Sequence, residues 1–152
     1  MNAKAISVLN DLIEINNYRV AGFEKAMADL KPQYVDLKAL FQKYSTQSRQ
    51  FSQELTTIVA DCGAVVETGN GISSSLHHAW IDITSLLGSR DRARILSEVE
   101  LGEDAIKIAY KMALENRKLN GTALETVSMQ ASAIESAHDA IKSFREAAEA
   151  MS

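Results

Sequence analysis

The sequence predicts an all-α protein, one domain of four long antiparallel helices with a short fifth helix between the second and the third. Three observations predict it. Apolar residues recur at spacings of three and four through most of the chain. One proline and seven glycines in 152 residues leave long stretches with nothing to break a helix. The breaker clusters that do occur fall between the periodic segments. A chain of 152 residues, 46% apolar and 24% charged, is one ordinary globular domain with a core of its own.

The first helix is expected from Ala3 to about Leu30, with Ile6, Leu9, Ile13, Asn16, Val20, Phe23, Met27 and Leu30 on one stripe. Lys31-Pro32 ends it, and proline suits the first turn of the next helix. The second stripe is Leu37, Phe41, Tyr44, Ser48, Phe51, Leu55, Ile58 and Cys62, followed by Gly63, where a left-handed cap is easily made. The short connection after Leu30 makes these two helices antiparallel neighbours.

Thr68-Gly69-Asn70-Gly71 carries turn chemistry, and Ser73, Ser74 and Ser75 can cap a new start. A short helix follows, with Leu76, Trp80, Ile83 and Leu87 on one side and Gly88 as its stop. Trp80 is expected to anchor it to the bundle. Ser89 is placed to cap the third long helix, with Asp91 in its first turn. Its stripe is Ile95, Val99, Gly102, Ile106, Ala109 and Ala113, and it should end near Asn120-Gly121. Thr122 with Glu125 reads as a capping box for the last helix. That helix turns Val127, Ala131, Ile134, His138 and Ile141 inward and runs nearly to Met151. The stretch from Gly63 to Ser89 is long enough to travel back along the bundle. This gives two antiparallel hairpins joined by a crossover, the ferritin-like topology; an up-down bundle with a helical insert is the alternative.

A rise of about 1.5 Å per residue sets heights in such a bundle. With a crossover, Asn16, Ser48, Gly102 and His138 fall at a common depth, with Ser45 beside Ser48. Each stripe there turns polar or small, and a buried polar layer needs internal partners, water or a ligand. One reading makes His138 a core histidine bonded to Asn16, a serine or a glutamate. The other is a metal site. Glu135-Ser136-Ala137-His138 has the Glu-x-x-His spacing that puts a carboxylate and an imidazole one turn apart, as a di-iron bundle requires. Glu103 or Glu98 would join it, with iron or manganese as the metal. The matching half is missing, because the second helix offers Gln47, Ser48 and Gln50 and no histidine.

Other classes find little support. The net charge of −4 is spread along the chain, without the basic face that nucleic acid demands. No run of about 18 apolar residues suggests a membrane span, and the N-terminus lacks a signal-peptide core, so a cytoplasmic protein is expected. Cys62 is the lone cysteine, which rules out an internal disulfide. His77 and His78 diverge by about 100° on a helix and cannot easily share a metal.

Several segments are similar to motifs of a group of bacterial ferritin-like four-helix-bundle proteins. They are Leu9-Asn10-Asp11-Leu12-Ile13-Glu14, Leu37-Lys38-Ala39-Leu40-Phe41 and Phe51-Ser52-Gln53-Glu54-Leu55, the Leu76 to Asp82 run, the Ile95 to Asp104 run and Ala137-His138-Asp139. The group is catalogued as domain of unknown function 2383, and the resemblance covers nearly the whole chain. It implies a ferritin-like bundle in a bacterial cytoplasm and supplies no substrate. Members often carry an acidic residue near the position of Val20 or Ala21, and its absence here counts against a metal. The expectation is a non-catalytic interaction or stress-related protein without a cofactor, acting as a homodimer or with another protein partner. The alternative is a metal or redox protein using Glu98, Glu103, Glu135 and His138.

Overall fold

The structure is a computed structural model that describes residues 1–67 and 91–151. These form four helices and no strand: α1 (Ala3–Asp29), α2 (Val35–Asp61), α3 (Arg92–Glu115) and α4 (Gly121–Ala150). The expected short helix, with Trp80, its serine caps and the histidine pair at 77 and 78, lies outside the described residues.

Local chemistry explains each boundary. The Asn2 side chain accepts from the Ala5 N–H at 2.9 Å and caps α1. Leu30 turns extended, and Lys31 to Tyr34 close a turn in which the Tyr34 N–H reaches the Lys31 carbonyl at 3.1 Å. Pro32 therefore occupies the second position of a turn, which its fixed φ favours, and not the first turn of α2. At the end of α2, Gly63 takes φ +74°, its N–H bonds Ala60, and the Ala64 N–H bonds Val59. This is the Schellman arrangement. A Cβ at Gly63 would meet no atom of the described residues within 4 Å, so the cost of Gly63→Ala is conformational. The expected loss is about 1–2 kcal/mol, read from urea unfolding.

Asp91 caps α3, accepting from the Arg94 N–H at 3.3 Å, and Ser89 lies outside the described residues. The helix stops at Glu115, five residues before Asn120. The Asn116 side chain takes the Lys118 N–H at 3.0 Å, and Arg117 adopts φ +57°. Asparagine competes with helical backbone in this way. Asn120 becomes the N-cap of α4 without a side-chain bond, so Thr122 lies inside the helix and the expected capping box does not form.

α1 packs against α2 and α3, and α4 packs against α3 and α2, which leaves α1/α4 and α2/α3 across the diagonals. Asn16 meets Tyr110 and Arg19 meets Glu103, so α1 and α3 run antiparallel. Arg92 at the start of α3 forks onto Asp36 at the start of α2 and stacks 5.6 Å from the Tyr34 ring. Residues just beyond α2, Ala64 and Val65, lie beside Ala3 and Ile6 at the opposite end. α2 and α3 thus begin at one end of the bundle, and α2 finishes at the other. The Arg92 guanidinium holds the Asp36 carboxyl below its usual range. A depressed acid stabilises the fold above its unfolded pKa, so this tether weakens as pH falls through the acid range.

The core follows a 3.5-residue period. Leu9, Leu12, Asn16, Arg19, Phe23 and Ala26 are buried on α1, and Leu37, Phe41, Tyr44, Ser48, Phe51 and Leu55 on α2. Val99, Glu103, Ile106 and Tyr110 face them from α3, with Val127, Gln130, Ile134, Ala137 and Ile141 from α4. Alternating steps of three and four keep a seam facing its neighbours along the length of a bundle.

Candidate functional site

The polar residues in that core form one connected layer. Arg19 is fully buried at 0% exposure and so is Glu103. The Arg19 Nε and one terminal nitrogen donate to the two Glu103 carboxylate oxygens, both at 2.8 Å. The other terminal nitrogen donates to Gln47 Oε1 at 2.8 Å and Ser48 Oγ at 2.9 Å. A parallel fork of this kind is the strongest side-chain pairing available to a buried carboxylate. The guanidinium also lies 5.3 Å from the Phe23 ring and 5.4 Å from the Tyr44 ring, whose π faces favour a cation.

From Arg19 the layer continues across all four helices. Ser48 Oγ donates to Asn16 Oδ1 at 2.9 Å. Asn16 Nδ2 donates to the Leu12 carbonyl and to Tyr110 Oη, each at 2.8 Å. Tyr110 Oη donates to Gln130 Oε1 at 2.7 Å. Gln130 Nε2 donates to the Phe51 carbonyl at 3.3 Å and to Glu54 Oε1 at 2.9 Å. Burial pushes the Tyr110 phenol well above its ordinary range, which keeps it the donor this chain needs. Every link points the same way, from the Arg19 cation to the Glu54 carboxylate. Aligned hydrogen bonds in a low dielectric polarise and strengthen one another.

The residues expected at this level divide. Asn16 and Ser48 are in the layer and bond each other. Gly102 is buried next to Glu103 in sequence. Ser45 is buried, and its hydroxyl finds no hydrogen-bond partner among the described residues. His138 is 8% exposed and faces the outer α3/α4 seam, with Nε2 on Asp104 and Nδ1 3.2 Å from Asp139. Glu135 is exposed, 3.9 Å from Lys107. Glu98 is buried with Oε1 3.2 Å from Arg94 and Oε2 without a hydrogen bond among the described residues. The structure therefore brings Glu103 to Arg19, Glu135 to Lys107 and His138 to Asp104. Among the described residues, no group of three or more histidine, cysteine, aspartate or glutamate side chains is gathered in a way that could hold a metal ion.

Arg19, Glu54, Tyr110 and Gln130 are members that spacing alone did not single out. A usable signal exists in the sequence. Arg19 follows Asn16 by three residues and precedes Phe23 by four, so a 3.5-residue stripe through Leu9 and Leu12 runs directly through it. The same period links Glu103 to Tyr110 and Val127 to Gln130. The register also differs from counting down each helix, because Asn16 pairs with Tyr110, two turns beyond Gly102.

The family described as a domain of unknown function (DUF2383) matches residues 4–116, a stretch that contains nearly all of α1 and the whole of α2 and α3. No curated protein and no solved structure matches the chain. No helix among the described residues is long and apolar enough to cross a membrane.

Proposed function

This chain belongs to the DUF2383 family, and we propose that it is a non-catalytic, ferritin-like bundle that acts through contacts with protein. One observation carries the reading: Arg19 occupies both oxygens of Glu103 in the centre of the bundle. The layer's cation is a side chain of the protein itself, and it holds the four helices in one register. The ferritin-like topology is supported by α2 and α3 starting at the same end, which a crossover connection produces. Contact with protein is supported by Leu101 and Ile108, both more than half exposed along one flank of α3.

The test is elemental analysis of protein purified without chelator, then of the same protein after incubation with Fe(II) or Mn(II) and desalting. Far less than one metal per chain is expected in both. Stoichiometric metal whose retention is lost in Glu103→Gln or His138→Ala would overturn the proposal in favour of a site built from Glu98, Glu103, Glu135 and His138. A second copy of the chain is the first partner to examine, since two-fold pairs are the commonest assembly. Light scattering is expected to give twice the chain mass of 16.6 kDa, with Ile108→Asp shifting the protein toward monomer. A native monomer at working concentration removes the homodimer.

A further inference from the structure

A cleft of about 150 Å³ opens between the N-terminal half of α1 and the last turns of α3. Its walls are apolar, with Val8, Leu12 and Ile15 on one side and Ala109 and Met112 on the other. An apolar cavity of about that size takes up benzene. Two features make this cleft more than a packing defect. Asp11 lies in its wall, partly buried, and no hydrogen bond or ion pair reaches its carboxylate among the described residues. Asn116, the C-cap of α3, lies in it as well. The C-terminal end of α3, the negative end of its helix dipole, therefore borders this cleft. An apolar slot with an unpaired carboxylate and a helix C-terminus at its edge is complementary to an organic cation.

We propose that the α1/α3 cleft binds a small organic amine, its apolar body held between Val8, Ile15, Ala109 and Met112 and its ammonium against Asp11 and the C-terminal end of α3. An ammonium there would supply the counter-charge that Asp11 lacks. Burial, then the nearby Glu14 carboxylate, pushes the Asp11 carboxyl up to about 6. The charged and titratable groups around it are Glu14 on its own helix and, in the adjoining recess, Met1 at the N-terminus and Glu67 beyond α2. A raised acid stabilises the fold below its unfolded pKa, and that contribution disappears as pH rises through the folded value. Asp11→Asn is therefore expected to raise the melting temperature at pH 7.5 relative to the native protein, and to lose that advantage at pH 4. The variant removes an unpaired charge and should fold.

The experiment is a titration of the full chain with benzylamine and with its uncharged isostere, benzyl alcohol, followed by amide chemical shifts at pH 7.5. Saturable shifts are expected from Val8 to Ile15 and from Ala109 to Asn116, with benzylamine at least about tenfold tighter than benzyl alcohol. In Asp11→Asn that preference should vanish, while weak uptake of the two aromatic bodies becomes equal. The proposal is overturned if native protein binds the two probes equally, if Asp11→Asn keeps the preference, or if neither probe gives saturable shifts at the cleft. Shifts confined to exposed acidic residues elsewhere would also overturn it, since they mark diffuse attraction to a chain of net charge −4.

Discussion

Arg19→Met is expected to lower the unfolding free energy by about 3–5 kcal/mol, the range found when one partner of a buried pair is removed. Methionine fills much of the volume and keeps the contact with Phe23 and Tyr44, so the loss is electrostatic in origin. Glu103 would be left as a carboxylate at 0% exposure with no hydrogen bond, and Gln47 and Ser48 would each lose a donor. For a domain of this size the change corresponds to a fall in melting temperature of about 10 °C or more. Differential scanning calorimetry at neutral pH measures it.

Tyr110→Phe comes next, with an expected loss of about 1–3 kcal/mol. The ring stays and the hydroxyl goes, so the change deletes one oxygen from the layer. That oxygen accepts from Asn16 and donates to Gln130. Asn16 Nδ2 keeps its bond to the Leu12 carbonyl, but Gln130 Oε1 is stranded in a residue that is 1% exposed. Urea unfolding should show a lower midpoint with an unchanged slope, because the surface exposed on unfolding is the same. A change of less than about 0.5 kcal/mol would mean that water substitutes for the phenol and that the layer is wet.

The helices themselves were legible, because four amphipathic stripes and the turns at Lys31 and Gly63 all agree with one another. Boundaries were less so where two local signals compete. Asn116 captures a backbone N–H and ends α3 early, although the residues after it are good helix formers. Asp91 takes the capping role two residues after the serine that offered it. The level of the polar layer was legible through Asn16 and Ser48, and its partners were not. A long cation such as Arg19 reads as a surface residue until the stripe is traced at 3.5 residues, and a glutamate at the edge of a stripe can swing either way. Which way Glu103 swings depends on a helix 84 positions distant in sequence. Local periodicity carries no information about that pairing. The organisation of His138 illustrates the same limit: its partner Asp104 lies on the neighbouring helix, and only the inter-helix register decides that they meet.

The claim that the bundle's centre is closed by its own ion pair is tested most directly by a double-mutant cycle across Arg19 and Glu103, read by chemical denaturation. Arg19→Met and Glu103→Leu should each be strongly destabilising, while the two together restore most of the native stability, giving a coupling of at least about 2 kcal/mol. Losses that simply add, or a single arginine variant as stable as the native chain, would contradict it and return the buried glutamate to the pool of side chains free to hold something else.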